Sequence, residues 1–360
     1  MSPATRGNTV RPPTTQALSE GALGVALLHL ERGDLPAARH LIAEAISGGV
    51  STGANASLFH GAPALEFVFS CAGHTDREVR AAVDRIVTTR LATARRRRES
   101  GSLPQLAEFD LIRGMTGLAA LLLRRPGTSP LLENVLTYLV SLAHPVADPV
   151  LPGWWSPEAP GHEEDVTGGH ANNGLAHGVG GVLALLSLAA RHGIQVAGQT
   201  DAIAEFTRWL QQYGGCYWIT RDQLSSTAPP GAVPGRPSWC YGDIGIARAL
   251  QLAALAVGDP AFGKAEQIAL AALTDPARMS LITDASLCHG WAGLLTVTRA
   301  IAADSPTPDR FAKPIDRLAG RLAACIGALP KPGFMEGRAG ARLALEGTDS
   351  TGWTRALLIT

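Results

Sequence analysis

Two cysteines and a histidine stand out for their chemistry. Cys240 lies in the run Ser-Trp-Cys-Tyr-Gly ending at Gly242, and Cys288 and His289 lie in Ser-Leu-Cys-His-Gly ending at Gly290. Cys and His are ordinary zinc ligands. Three protein ligands leave a fourth tetrahedral position for water or substrate, whereas structural zinc sites close with four. The expectation is one zinc ion per chain on Cys240, Cys288 and His289, used to activate a thiol. A lone cysteine is ordinarily a small buried hydrophobe, which suits Cys71 and Cys325 and leaves Cys216 open. Five cysteines in 360 residues do not make a disulfide framework.

By spacing alone the two cysteines, 48 residues apart, are a weaker signal than a CxxC pair. Their register makes up the deficit. Seven apolar segments open with a glycine, at Gly21, Gly61, Gly114, Gly178, Gly242, Gly290 and Gly337. Three residues later stand Gly24, Ala64, Gly117, Gly181, Gly245, Gly293 and Gly340. The recurrence is an internal repeat. Immediately before the leading glycines come Glu20, His60, Arg113, His177, Tyr241, His289 and Glu336, all polar or ionisable. Cys240 and Cys288 sit one step further back, in equivalent places of consecutive repeats.

A helical glycine costs ~1 kcal/mol relative to alanine, so the repeat keeps its glycines for a reason. A small-xx-small face lets neighbouring helices approach closely. Amphipathic segments such as LPAARHLIAEAI, LLENVLTYLVSLA and DAIAEFTRWLQQY alternate with the glycine-led ones, and strand signals are scarce. Apolar helices must be buried and amphipathic ones must surround them. The pattern predicts an all-α protein, an α/α toroid of about seven inner and seven outer helices. A linear solenoid would need polar capping repeats that the sequence lacks. In such a ring every inner helix points the same way, so the residues before the glycines share one cavity. The seventh outer helix falls in Ser350–Thr360 or before residue 18.

With three motifs in place, Ala176-His177-Gly178, Trp239 to Gly242 and Cys288 to Gly290, the chain resembles a stand-alone lanthipeptide (lantibiotic) cyclase of the LanC family. The resemblance spans roughly residues 18–360. It implies a zinc-dependent lanthionine synthetase cyclase, forming (methyl)lanthionine thioethers by Michael addition of precursor-peptide cysteine thiols to dehydroalanine or dehydrobutyrine. It further implies Cys240, Cys288 and His289 as metal ligands and His177 as acid/base. Asp110, ahead of Gly114, and Arg236, four residues before Cys240, match family positions and are read as a supporting pair. Tyr241 matches the motif tyrosine. The chain departs from the repeat at Ala64. Imidazole titrates near neutral pH, so His177 is the best donor to the enolate; Tyr241 would add a hydrogen bond.

Charge excludes other functions. Lys plus Arg equals Asp plus Glu at 31 each, and only 17% of residues are charged, so nothing argues for nucleic acid or an anionic membrane surface. The basic run Arg95–Arg98 reads as a solvated helix end. Residues 1–17 read as a disordered lead-in and 18–360 as one domain. No apolar stretch is long enough to span a bilayer, so the expected location is cytoplasmic, with membrane association only through a biosynthetic complex. The expected partners are a dehydrated precursor peptide with its leader, a separate dehydratase and a transporter.

Glycine-to-glycine spacings of 64 residues mark insertions at Pro145–Asn173 and Gly214–Ser238, both over the zinc end. Their Trp154, Trp155, His162, His170 and Trp218 either grip an extended peptide or pack as ordinary loops. Rival readings are a LanC-like protein that binds or adds glutathione, a non-catalytic scaffold for a dehydratase, and a glycosidase using Glu20 and Glu336 across the cavity. The last leaves the cysteines unexplained.

Overall fold

The computed structural model describes residues 16–158, 166, 168–226, 235–259 and 262–360. Residues 1–15 of the expected lead-in lie outside this set, as do His162, Glu163, Glu164 and Asp165. Gln16 and Ala17 are held in place: Ala17 pairs with His60, and the Gln16 side chain accepts from the Ser51 amide.

Thirteen long helices alternate along the chain. They are α1 (Ala22–Glu31), α2 (Leu35–Ile46), α3 (Ala62–Cys71), α4 (Arg77–Glu99), α5 (Met115–Leu123), α6 (Pro130–Ser141), α7 (Val179–Arg191), α8 (Gln199–Tyr213), α9 (Asp243–Val257), α10 (Phe262–Thr274), α11 (Trp291–Ala303), α12 (Ala312–Cys325) and α13 (Arg338–Glu346). The odd-numbered helices are the seven that the glycines introduce. Each packs on the next, and α13 packs on α1, which closes a ring. Even-numbered helices lie outside, each against the inner helix before it. Burial follows the sequence pattern: α7 buries every residue from Val179 to Ala189, whereas α12 buries only Pro314, Leu318 and Leu322. Three of the outer helices, α2, α4 and α6, begin at side-chain caps, Asp34, Asp76 and Ser129, which accept from first-turn amides.

The glycines three residues into the repeat have a more local purpose than helix–helix approach. A Cβ on Gly117, Gly245 or Gly293 would lie 2.1 Å from the carbonyl oxygen six residues earlier, at Leu111, Trp239 and Leu287 respectively. The chain before each inner helix folds back against that helix's own first turn. Neighbouring repeats come near too: a Cβ would lie 2.9 Å from the Phe334 Cβ at Gly24, 3.1 Å from the Leu58 Cβ at Gly117 and 3.4 Å from the Trp239 Cβ at Gly293. Close approach is therefore required, as expected, and its tightest partner is the carbonyl of the preceding loop.

Those loops form a belt. Leu111 N–H donates to the Ala176 carbonyl, Ala176 to Cys240, Cys240 to Cys288, Cys288 to Met335 and Met335 to Ser19. These backbone bonds, one per step and two at Met335, which also accepts from Leu287, fix the relative height of consecutive inner-helix N-termini.

No seventh outer helix follows α13 among the described residues. The chain turns inward and forms a short 3₁₀ turn, Trp353–Leu357, whose Trp353, Leu357, Leu358 and Ile359 are buried. Glu31, the last residue of α1, accepts from the amides of Ser350 and Thr351. Arg124, which ends α5, donates to the Gly352 and Thr351 carbonyls. This segment closes the bore at the end away from the belt. An apolar sequence with no amphipathic period cannot serve as an outer helix but can fill a dry channel.

Two short strands, β1 (His170–Asn172) and β2 (Trp218–Thr220), pair antiparallel and tie the two insertions together. The basic end of α4 is less solvated than expected: Arg97 donates to the Glu108 carboxylate at 2.9 Å, and Arg98 to the His144 carbonyl. No described helix is long and apolar enough to cross a membrane.

Candidate metal centre

The belt bond from Cys240 to Cys288 sets the ends of α9 and α11 side by side at one sector of the ring mouth. The Cys240 and Cys288 sulfurs and a ring nitrogen of His289 all lie within 4.8 Å of one another. They are the one such group among the described residues. Cys240 is buried and Cys288 half-buried, while 27% of the His289 side chain remains open to the mouth. Two sulfurs and one imidazole suit a borderline-soft ion such as Zn²⁺.

Supporting contacts surround the cluster. His289 Nε2 lies 3.1 Å from Asp284 Oδ2, and the other carboxylate oxygen accepts from the Ser286 amide at 2.7 Å. A carboxylate on a ligand's imidazole fixes ring orientation and raises basicity. The hydrogen bond from Asp284 pushes the His289 pKa up despite burial, and the Asp284 carboxyl is held well below its usual range: its bonds to His289 and Ser286 outweigh the desolvation that opposes them. The two thiols are coupled. Hydrogen bonding from Cys288 holds Cys240 below the ordinary thiol range, and the same contact, with burial, pushes Cys288 up. The Ser238 hydroxyl stands 3.4 Å from the Cys240 sulfur.

His177 lies one repeat back at the same mouth, brought there by the belt bond from Ala176 to Cys240. Its Nδ1 lies 2.6 Å from Asp110 Oδ2. A carboxylate only accepts, so Nδ1 bears the proton and Nε2 is left free. Asp110 is 1% exposed and is locked in turn, since Oδ1 accepts from the amides of Arg113 and Gly114 at 2.6 and 2.7 Å. One carboxylate thus fixes the turn leading into α5 and bonds a histidine from the next repeat. The Tyr241 ring stacks on His177, 6.0 Å between centroids and 27° from parallel. Burial pushes the Tyr241 phenol well above its usual range, so it stays a neutral hydroxyl. Tyr217 packs beside it, 5.5 Å away.

The structure brings together six of the seven residues singled out from sequence, in an arc from Asp110 to His289. Arg236 joins them by charge, not by the expected pairing. Among the described residues Asp110 makes no ion pair with Arg236; its carboxylate is taken by His177 and two amides. The Arg236 charge instead bears on Cys240, where it adds to the lowering that Cys288 causes, and on His289, where it opposes the rise that Asp284 causes.

Sequence reasoning missed Asp284, Ser238 and Tyr217. Asp284 had a signal. It stands six residues before its repeat glycine, as Arg236 does before Gly242, and the same position holds Asn55, Glu108, Asn172 and Lys331. A second polar register therefore lies behind the first.

Other rim residues fall away from the centre. Lys331 Nζ bonds both Glu20 and Glu336, at 2.6 and 2.7 Å, so these carboxylates share one cation and do not oppose each other across a cavity. Trp154 and Trp155 are fully buried: Trp154 packs on Phe206 and Trp209, and the Trp155 indole donates to Gly168. Both are loop packing, not a grip for peptide.

A family model described as lanthionine synthetase C-like protein matches residues 12–358. Among solved structures the chain is similar to one titled "Nisin cyclase", with TM-score 0.81 and 21% sequence identity, covering 97% of this chain and 93% of that one. No curated protein matches by sequence.

Proposed function

Because the chain belongs to the lanthionine synthetase C-like family, we propose that it is a zinc-dependent cyclase that adds precursor-peptide cysteine thiols to dehydroalanine or dehydrobutyrine, forming thioether rings. The observation that carries this reading is the convergence of Cys240, Cys288 and His289 within 4.8 Å, at the same mouth as the Asp110–His177 dyad.

Cys240, Cys288 and His289 would hold the ion and leave room for a further ligand. Zinc there would supply a substrate sulfur as thiolate, where a free thiol of pKa ~8.5 is mostly protonated at neutral pH. In the addition, a bond forms from sulfur to the β carbon of the dehydro residue. The double-bond electrons move toward the carbonyl as an enolate, and the α carbon takes a proton. His177 delivers that proton from Nε2, which carries it in the imidazolium form. Asp110 holds the tautomer and stabilises the imidazolium form, as a buried carboxylate does for other catalytic histidines. The proton released by the thiol restores His177 by way of solvent. The neutral Tyr241 hydroxyl and the Arg236 charge are suited to stabilising the enolate oxygen.

The substrate is a dehydrated precursor peptide with a leader, and a separate dehydratase makes its dehydro residues; a transporter completes the set of partners. The test is to incubate the zinc-loaded protein with a dehydrated, cysteine-containing precursor and count free thiols. Loss of thiols, absent in a metal-free control, is expected. Equal thiol counts in both would refute the cyclase reading.

A further inference from the structure

Trp239 differs from its counterparts in the other repeats. The residue six before the second small residue is Leu18, Leu58, Leu111, Leu175, Trp239, Leu287 and Phe334 in turn, and every one is fully buried. Only the copy beside Cys240 has an N–H to donate. Its indole Nε1 bonds the Leu357 carbonyl at 3.0 Å, 118 residues away in sequence. Its own carbonyl lies against Gly245 of α9, and its Cβ against Gly293 of α11. Trp239 is therefore wedged between the two helices that carry the metal cluster, and it reaches the segment filling the bore.

That segment is unusually constrained at its point of contact. Leu358, next to Leu357, has φ +54°, the one positive φ of a non-glycine residue among the described residues. Such a conformation is strained and persists only where its surroundings fix it. The carbonyls on either side are both held, Leu357 by Trp239 and Ile359 by the buried Arg248 guanidinium at 2.9 Å.

We infer that Trp239 is a positioning residue for the metal centre, through which the Trp353–Thr360 segment sets the placement of Cys240. The inference rests on the metal assignment above. Cobalt(II) is the probe, because its thiolate charge-transfer and ligand-field bands report ligand geometry. Trp239→Phe keeps an aromatic ring and removes the N–H. Its cobalt affinity should fall about tenfold, the lower end of the loss seen when support behind a ligand is removed, and the bands should shift. Deleting Ser350–Thr360 should produce the same shift, and combining the two should add little, as for two changes in one interaction. Should the deletion variant not fold, Trp239→Phe alone decides. Unaltered cobalt affinity and spectrum in Trp239→Phe, with only a lowered melting temperature, would overturn the inference. Failure of the unaltered protein to bind cobalt would overturn the metal assignment and this inference with it.

Discussion

The Cys240 amide donates to the Cys288 carbonyl at 3.3 Å, so two residues 48 apart in sequence are direct neighbours in the ring. The same belt bonds Ala176 to Cys240, which brings His177 alongside. Three consecutive repeats thereby contribute one site, each from the same two positions before its glycine. The proposed ligands are carried on backbone that the fold needs for its own closure, which is the preorganisation a metal site requires.

Removing one sulfur should therefore remove the ion without dismantling the ring. Cys288→Ala and Cys240→Ala are each expected to purify with zinc well below one equivalent, while far-ultraviolet circular dichroism stays helical. Elemental analysis against protein concentration measures this, and full zinc occupancy in either variant would refute the ligand assignment.

The dyad makes a separate prediction, since Asp110 touches His177 and not the cluster. Asp110→Asn keeps an oxygen for the Arg113 and Gly114 amides but presents an amide to Nδ1 and disturbs the tautomer. Cyclisation should slow about 10²–10⁴-fold, the usual contribution of a positioned acid or base, with zinc content unchanged. His177→Ala should slow it similarly, and the double variant little further, because the two act as a unit. Additive losses in the double variant would mean that Asp110 and His177 work independently.

The repeat made most of this legible. Polarity before each glycine pointed to a common rim, and Cys240, Cys288 and His289 met there as the register required. What stayed hidden depends on contacts that one register does not encode. Asp284 was overlooked although Arg236 marks the same position one repeat earlier. Asp110 and Arg236 do not bond each other because the Asp110 carboxylate is taken by the amides of the turn leading into α5, Arg113 and Gly114, and by His177. The C-terminal stretch defied placement because its partners, Glu31, Arg124, Trp239 and Arg248, come from three different repeats.

His170 gives a pH signature. It is fully buried at the junction of the two insertions. Burial holds its pKa down at about 4, against the usual 6.5. Between those values the unfolded chain binds a proton that the folded chain refuses, so stability rises with pH. Its contribution is complete above 6.5 and is lost as pH falls toward about 4, with a slope of up to about 1.4 kcal/mol per unit. Urea unfolding at about pH 7 and about pH 5 should show this loss, and His170→Phe should show less of it. An identical pH dependence in the variant would remove His170 as the cause.

The glycines give a test that separates two uses of a small residue. In Gly245→Ala the new Cβ would stand 2.1 Å from the Trp239 carbonyl oxygen. Alanine gains ~1 kcal/mol of helix propensity over glycine, but that oxygen is backbone, fixed by the belt bonds on either side. Overpacking costs typically 1–3 kcal/mol, occasionally more, and a clash with immobile backbone belongs at the upper end, for a net loss of about 2 kcal/mol. Gly320, on the outer helix α12, has nothing within 4 Å of its would-be Cβ, so Gly320→Ala should gain about 1 kcal/mol. Because relief at Gly245 must come from moving the Trp239 peptide, Gly245→Ala should also weaken zinc binding, which Gly320→Ala should leave alone. If Gly245→Ala proved as benign as Gly320→Ala, the glycine would not be kept for the loop carbonyl, and the repeat's small residues would revert to simple helix-to-helix packing.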